Sequence, residues 1–237
     1  MKELASLLVL SYHRQSYLQR SLESLWVNTT APYELIVLDD GSHDGTEDYI
    51  LSLVKEKKIS TALLNVGWNR GIGTAVNRGV DLARGDILFK LDADLLYFPG
   101  WLEESCRLLR TFPQIGCLGL FRYHHPPCKH EDEFIKTHEG GFDEVKDFVG
   151  SAVGFRREIY EKFGPWTEEG WMFSEDCKYK QAVQAGGYML VLPQHDLVEN
   201  VGFGEQHSSL IKTIDWEGGK HTYNVPNTSP LIFGLPT

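Results

Sequence analysis

The chain has 237 residues, of which 42% are hydrophobic and 24% are charged, and its formal net charge is −10. These values are typical of a globular domain rather than a disordered chain, and the length suits one α/β domain of ordinary size. The acidic balance argues against a broad nucleic-acid footprint, which needs clustered Lys and Arg, and against simple electrostatic attraction to an anionic membrane.

The predicted elements begin with an apolar run at 4–10, which is too short for a signal peptide or a membrane span. We interpret it as a buried first strand and expect a cytoplasmic protein with no integral membrane segment. Short apolar runs then alternate with longer helix-like segments. Strands are predicted at 4–10, 34–38, 61–64, 86–91 and 115–121, and helices at 16–27, 46–57, 74–83 and 99–110.

The alternation of strand and helix implies right-handed crossovers, and therefore an α/β fold with a mostly parallel central sheet flanked by helices. The second half of the chain is less regular. It predicts a long loop at 123–141, a strand at 148–155, a helix at 174–185, a strand at 188–192 and mostly loop from 193 onward.

Polar clusters follow four consecutive predicted strands, at 11–14, 39–42, 65–69 and 92–94. Ligands of parallel α/β sheets bind at the carboxyl ends of the strands, so we expect these clusters to share one site. Asp92 and Asp94 stand out, because paired carboxylate oxygens suit Mg²⁺ or Mn²⁺, which also bind phosphate oxygens. The alternative is a loop with two solvated aspartates.

Two further acidic pairs strengthen this interpretation. Asp39 and Asp40 could accept hydrogen bonds from a nucleotide base or ribose, although the same stretch also has the glycines and capping residues of a strand-to-helix turn. Asp176, next to Glu175, could act as a general base. On position alone, acidic residues at a helix start are better explained by the helix dipole.

Together these motifs resemble the family 2 glycosyltransferases, which have the GT-A fold, a Rossmann-like sheet flanked by helices. The resemblance covers roughly residues 4–192 and is specific in the order of its elements. The matching stretches are 8–14 (Leu-Val-Leu-Ser-Tyr-His-Arg), 36–46 (around Asp-Asp-Gly-Ser), 65–67 through 77–79, 83–86 (Ala-Arg-Gly-Asp), 91–94 (Leu-Asp-Ala-Asp), 164–166 (Gly-Pro-Trp) and 175–176 (Glu-Asp).

The resemblance implies a role for each acidic residue. Asp39 or Asp40 would contact the nucleotide base, and Asp92 the ribose or the metal. Asp94 would bind a divalent metal, Mn²⁺ or Mg²⁺, that bridges the diphosphate. Asp176, with Glu175 beside it, would be the catalytic base. Further nucleotide-sugar contacts fall to Ser11, Tyr12, Arg14, Asn69 and Asn77.

The implied reaction transfers a sugar from a nucleotide-diphosphate donor to an acceptor hydroxyl with inversion, and family habit favours a UDP-sugar. One domain would span 1–237. Within it, residues 1–121 would bind the nucleotide sugar, residues 122–192 would bind a carbohydrate or other hydroxyl acceptor and carry the base, and residues 193–237 would form a loop-rich tail.

The sequence departs from the family pattern in three places. His13 stands where Asn is common, and the stretch 123–141 matches no motif. No Gln-x-x-Arg-Trp element and no transmembrane segment follow Glu175–Asp176, which argues against a processive polymer synthase.

A histidine after the last predicted strand is a candidate third metal ligand. His207 is preferred over His195 because its flanking glycines suit a loop over the nucleotide, at 202–209, although a solvent-exposed loop histidine is the alternative. Trp166 and Trp171 precede the Glu-Asp pair and are candidates for stacking on an acceptor sugar, with core packing as the alternative.

Three other functions compete with this interpretation. A sugar nucleotidyltransferase also holds Mg²⁺ with carboxylates, but it needs a glycine-rich loop after the first strand, and 11–14 contains no glycine. A Rossmann dehydrogenase fails on the same ground. A catalytically silent binding module would not need both Asp94 and Asp176.

Overall fold

The computed structural model describes residues 4–65, 69–122, 134–168 and 175–202, together with the backbone of a strand at 231–234. Its helices are α1 Gln15–Asn28, α2 Thr46–Lys55, α3 Ile72–Leu82, α4 Trp101–Thr111, α5 Arg157–Phe163 and α6 Glu175–Ala185. Its strands are β1 Ala5–Ser11, β2 Tyr33–Asp39, β3 Thr61–Leu64, β4 Ile87–Asp92, β5 Leu95–Tyr97, β6 Ile115–Gly119, β7 Phe134–His138, β8 Phe142–Val145, β9 Ala152–Arg156, β10 Met189–Pro193, β11 Val198–Asn200 and β12 Leu231–Gly234.

The α/β prediction is confirmed, and the first four strands pair in parallel as expected. Ten of the described strands form one sheet in the order β12-β3-β2-β1-β4-β9-β6-β10-β8-β7. In the register of this sheet Ser11 lies opposite Asp39, and Leu10 lies opposite Asp92. The carboxyl ends of β1, β2 and β4 therefore meet at one edge, as the polar clusters predicted.

The sheet as a whole is mixed rather than mostly parallel. Strand β9 runs antiparallel between β4 and β6, and β8 and β7 extend the sheet as an antiparallel hairpin beyond β10. A second, two-stranded sheet joins β5 to β11 directly after the Asp94 position. In this sheet Asn200 lies opposite Leu95, so β11 comes close to the end of β4.

Three sequence predictions are corrected here. The predicted loop at 123–141 contains the strand β7 within its described part, and β8 follows it. The stretch from 193 onward contributes β11 and β12, and α5 was not predicted. The hairpin escaped prediction because β7 is an exposed edge strand: Phe134 and Ile135 face outward, and the segment lacks the apolar alternation of a half-buried strand.

The helices cover both faces of the sheet, because the central strand β1 is buried on both of its faces. Leu7 and Val9 of β1 pack toward α1, α2 and α4, whereas Leu8 between them packs toward α3, α5 and α6. In the described ranges, none of the helices combines the length and the apolar character needed to cross a bilayer.

Candidate active site

The cluster after β2 is organised by two buried aspartates. Asp39 accepts hydrogen bonds from the backbone N–H of Ser42 at 2.9 Å and from its hydroxyl at 2.5 Å. Asp40 accepts from the Asn65 amide at 2.5 Å and from the backbone N–H groups of Arg70 and Gly71 at 2.9 and 2.8 Å. Asp40 thus links Asn65, directly after β3, to the residues directly before α3.

Burial raises the pKa of both aspartates. For Asp39 this effect outweighs the hydrogen bonds from Ser42, and for Asp40 it outweighs those from Arg70, Asn65 and Gly71. Burial therefore disfavours the ionised form of both carboxylates, and the hydrogen bonds that they accept offset this effect only in part. The hydroxyl of neighbouring Ser11 is buried without a hydrogen-bond partner among the described residues, so a donor or acceptor of a ligand would satisfy it.

Asp92 sits at the mouth of the cluster, and a buried lysine holds it. Its carboxylate is 2.6 Å from Nζ of Lys90, whose side chain is only 3% exposed. The same ammonium donates to the carbonyl of Gly150 at 2.8 Å, while the backbone N–H of Asp92 donates to the carbonyl of Ser151 at 2.9 Å. The end of β4 is therefore tied twice to the segment before β9.

Asp94 is more deeply buried than Asp92 and is enclosed by three elements. It forms an ion pair with Arg14 at the start of α1 and accepts a hydrogen bond from the Asn200 amide at 3.0 Å. Gly202 packs directly against the carboxylate and leaves no room for a Cβ. Burial raises the pKa of Asp94 and the charge of Asp92 raises it further, against the opposing effects of Arg14 and Lys90.

This donor set fits a hard divalent cation. Asp92 and Asp94 offer carboxylate oxygens within electrostatic reach of each other, and burial and the charge of Asp92 both disfavour the ionised form of Asp94, which a bound cation would favour. In the described ranges no group of three or more His, Cys, Asp and Glu side chains gathers, so the remaining positions would fall to other donors. Mg²⁺ and Mn²⁺ suit this arrangement, because such ions commonly complete their shells with water and phosphate oxygens.

The predicted base contacts the segment that also binds Lys90, the partner of Asp92. Asp176, in the first turn of α6, has a side chain that is 14% exposed and lies 3.1 Å from Nζ of Lys180. Its carboxylate packs against the Cα of Gly150, the residue whose carbonyl binds Lys90. A chain of contacts through Gly150 and Lys90 thus connects Asp176 to Asp92. The neighbouring Glu175 is buried.

The structure gives Trp166 and Asn77 tasks other than the predicted ones. Trp166 is 1% exposed and packs beside Phe155 and Tyr179, which favours the core-packing alternative over the predicted acceptor contact. The Asn77 amide accepts a hydrogen bond from the backbone N–H of Trp166 and donates one to the Trp166 carbonyl, both at 2.9 Å. Its Oδ1 also accepts a hydrogen bond from the Tyr160 hydroxyl. These hydrogen bonds connect α3 to the chain at 166.

The other predicted contacts are distributed around the strand ends. Tyr12 is partly buried and packs edge-on against His13, and Asn69 accepts a hydrogen bond from the Gly71 backbone at 2.8 Å. His195 is exposed in the turn between β10 and β11. Trp171 and His207, as well as the predicted lid beyond Gly202, lie outside the described residues.

Sequence reasoning missed the two lysines that organise the site. Lys90 carried a usable signal: a charged residue within the apolar strand Ile-Leu-Phe-Lys-Leu-Asp must find a partner if it is buried. Lys180 carried another, because it stands four residues after Asp176 on the same helix. Asn200 had no local signal, since it reaches Asp94 only through the pairing of β11 with β5.

Comparisons with known proteins agree with this architecture. The sequence model of "Glycosyl transferase family 2" matches residues 6–164. An uncharacterized glycosyltransferase of Nostoc sp. is 30% identical over an alignment of 193 positions, which covers 73% of this chain and 57% of the relative. The chain therefore spans little more than half the length of that relative.

Two solved structures share the fold. The mannosyltransferase PcManGT from Pyrobaculum calidifontis, in complex with GDP-Man and Mn²⁺, superimposes with a TM-score of 0.69 at 19% identity, over 88% of this chain and 60% of that one. The crystal structure of GalNAc-T7 with UDP, GalNAc and Mn²⁺ gives a TM-score of 0.67 at 15% identity, over 83% and 43% of the two chains. At these identities the likeness concerns the fold.

Proposed function

The chain belongs to glycosyltransferase family 2, and from that premise we propose that it transfers a sugar from a nucleotide-diphosphate donor to an acceptor hydroxyl, with inversion at the anomeric carbon. The observation that carries the proposal is the link between the carboxylate pair and the base. Asp92 reaches Asp176 through Lys90 and Gly150, at the edge where parallel strands of such sheets bind ligands.

The donor would bind across the ends of β1, β2 and β4. Asp92 and Asp94 would hold a divalent metal, Mn²⁺ or Mg²⁺, which supplies neutralising charge for the diphosphate leaving group. Arg14 and Lys90 bring two cationic side chains to the same place. Among the nucleotide contacts, Ser11 and Asp39 would line the site of the nucleotide base, and Asp40 would support that site through its hydrogen bonds with Asn65 and Gly71. A UDP-sugar is the donor we test first, with GDP-mannose as its comparison.

Asp176 would serve as the general base of a direct displacement. It would accept the proton of the acceptor hydroxyl as that oxygen forms a bond to the anomeric carbon and the bond to the diphosphate breaks on the opposite face. This geometry inverts the anomeric configuration and needs no covalent enzyme intermediate. Asp176 lies in the first turn of α6, where the helix N-terminus is a favourable place for an acidic side chain. Glu175 is the second carboxylate to test in this role.

The acceptor side would be formed by the second half of the chain. Trp171 stays the aromatic candidate for stacking on an acceptor sugar, and His207 the candidate for an additional metal ligand. Gly202, at the start of the proposed lid over 202–209, already abuts Asp94. The proposal treats 1–121 as the donor half, 122–192 as the half carrying acceptor contacts and base, and 193–237 as the closing tail.

A thermal-shift panel tests the donor class. UDP, GDP, and their glucose, N-acetylglucosamine, galactose and mannose conjugates are each added with Mn²⁺, with Mg²⁺ and with EDTA. A ligand present at 100 times its dissociation constant stabilises the folded state by about 2.7 kcal/mol, so a true donor raises the melting temperature measurably. The proposal expects a shift that needs both nucleotide and metal. Equal melting temperatures across the panel would contradict it.

A further inference from the structure

Lys180 is a fully buried ammonium group that the reaction scheme above does not use. Its side chain is 2% exposed, although lysine is almost never buried without partners. The ammonium has three N–H donors and finds three acceptors. They are Oδ1 of Asp147 at 2.5 Å, Oδ2 of Asp176 at 3.1 Å, and the backbone carbonyl of Phe148.

These three acceptors come from two different parts of the chain. Asp176 lies on α6, one turn before Lys180, whereas Asp147 and Phe148 lie on the segment between β8 and β9. The ring of Phe148 also lies 4.7 Å below the ammonium. Lys180 therefore fastens the carboxylate of Asp176 to the segment 147–150 rather than merely balancing charge within its own helix.

The same segment is fastened on its other side to the metal-site strand. Gly150 touches the Asp176 carboxylate with its Cα and gives its carbonyl to Lys90, which pairs with Asp92. Residues 147–151 thus form a spacer between two buried lysines. This spacer sets the distance between the Asp176 carboxylate and Asp92 as long as Lys180 and Lys90 keep their contacts with it.

Electrostatic attraction strengthens the attachment of Asp176 to the segment 147–150. One ammonium lies between two carboxylates, Asp147 and Asp176, so its loss would leave like charges facing each other. Burial lowers the pKa of Lys180, but the two carboxylates more than offset this and raise it, so that the side chain stays cationic. Among the described residues, Cys117 on β6 and Cys177 on α6 also interact with this trio.

We propose that Lys180 is a positioning residue for catalysis, which holds the Asp176 carboxylate against Gly150 at a fixed distance from Asp92. The inference rests on the proposed role of Asp176 as the base. Lys180 would then contribute to turnover separately from its contribution to folding, because Asp176 is the proposed base and Asp147 is not.

Three variants separate these contributions. Lys180→Met removes the ammonium and leaves the side-chain volume nearly unchanged. Asp147→Asn combined with Lys180→Met also removes the carboxylate that Lys180 neutralises, and so relieves the repulsion. Lys178→Met is the matched control, because Lys178 is an exposed lysine on the same helix. Donor affinity is measured by calorimetry with Mn²⁺ and nucleotide, and turnover by hydrolysis of the nucleotide sugar, in which water replaces the acceptor hydroxyl.

Lys180→Met should lose about 10²-fold in kcat, the cost typical of a 1 Å misplacement, while donor affinity stays at the wild-type value. The double variant should regain the melting temperature but not the turnover, and Lys178→Met should match the wild type. If the double variant regains turnover as well, Lys180 serves only folding and the inference is overturned. A wild-type chain that binds no nucleotide sugar would instead overturn the proposed function.

Crystal structures of the wild type and of the double variant give a readout that does not depend on activity. We expect the Asp176 carboxylate to leave Gly150 when Lys180 is absent, by about 1 Å or more. A carboxylate that keeps its place beside Gly150 would overturn the inference, whatever the turnover measurements show.

Discussion

Gly150→Ala tests whether the base and the carboxylate pair are held at a fixed separation. A Cβ at this position would lie 2.6 Å from Cγ of Asp176 and closer still to Oδ2. Ordinary contacts between carbon atoms are about 3.5 to 4.0 Å, so the carboxylate or the spacer must move by about 1 Å. Neither can move freely, because Lys180 binds the Asp176 carboxylate and Lys90 binds the carbonyl of Gly150 in the spacer.

Either displacement should harm the reaction more than the fold. Misplacing a reacting group by about 1 Å can cost about 10²-fold in rate, whereas overpacking by one methyl group typically costs about 1–3 kcal/mol of stability. We therefore expect Gly150→Ala to fold, to bind nucleotide and Mn²⁺ like the wild type, and to lose about 10²-fold in kcat for nucleotide-sugar hydrolysis.

Gly187→Ala is the matched control for this experiment. Gly187 has a φ of 86° and open space around it, at the far end of the helix that carries Asp176. Alanine there should be destabilising by about 1–2 kcal/mol through backbone strain alone, with no displacement of the site. If Gly150→Ala keeps wild-type turnover, or if Gly187→Ala loses as much, the reasoning about the spacer is refuted.

Four further substitutions probe individual side chains. Asp176→Asn should lose about 10²–10⁴-fold in turnover yet bind the donor normally, as measured by hydrolysis rates and calorimetry; normal turnover would show that Asp176 is not the base and make Glu175 the next candidate. Lys90→Met should lower the free energy of unfolding in urea by about 1–3 kcal/mol, because Asp92 and a backbone carbonyl lose a charged donor; an unchanged midpoint would argue against that pairing. Asn77→Ala should cost about 2 kcal/mol or more and leave nucleotide affinity intact, since its hydrogen bonds go to Tyr160 and the chain at 166; weaker nucleotide binding would restore its predicted role. Asp94→Ala should abolish metal-dependent nucleotide binding without unfolding the chain, as judged by calorimetry beside circular dichroism.

The sequence predicted the donor half of the fold well, for a physical reason. Strands buried on both faces read as continuous apolar runs, and each is followed by polar residues where the chain leaves the sheet. The strand at 61–64 was therefore placed at its observed bounds, and Asp92 fell at the predicted strand end. The order of the elements then sufficed to bring Asp39 and Asp92 to one edge.

The remaining features depend on contacts that local sequence does not encode. An aromatic side chain such as Trp166 reads the same whether it faces a ligand or the core, and only its packing against Phe155 and Tyr179 decides. The edge strand β7 has no buried face to impose a pattern. Asn200 reaches Asp94 only because β11 pairs with β5, far away along the chain.

Calorimetry with UDP and Mn²⁺, with GDP in parallel, distinguishes a metal-holding Asp94 from a proton-accepting Asp176 in one site. We expect the wild type to bind a nucleotide only when a divalent metal is present, Asp94→Ala to lose this binding, and Asp176→Asn to retain it. Undiminished, metal-dependent binding by Asp94→Ala, or its loss in Asp176→Asn with an intact fold, would show that the two residues do not have these roles.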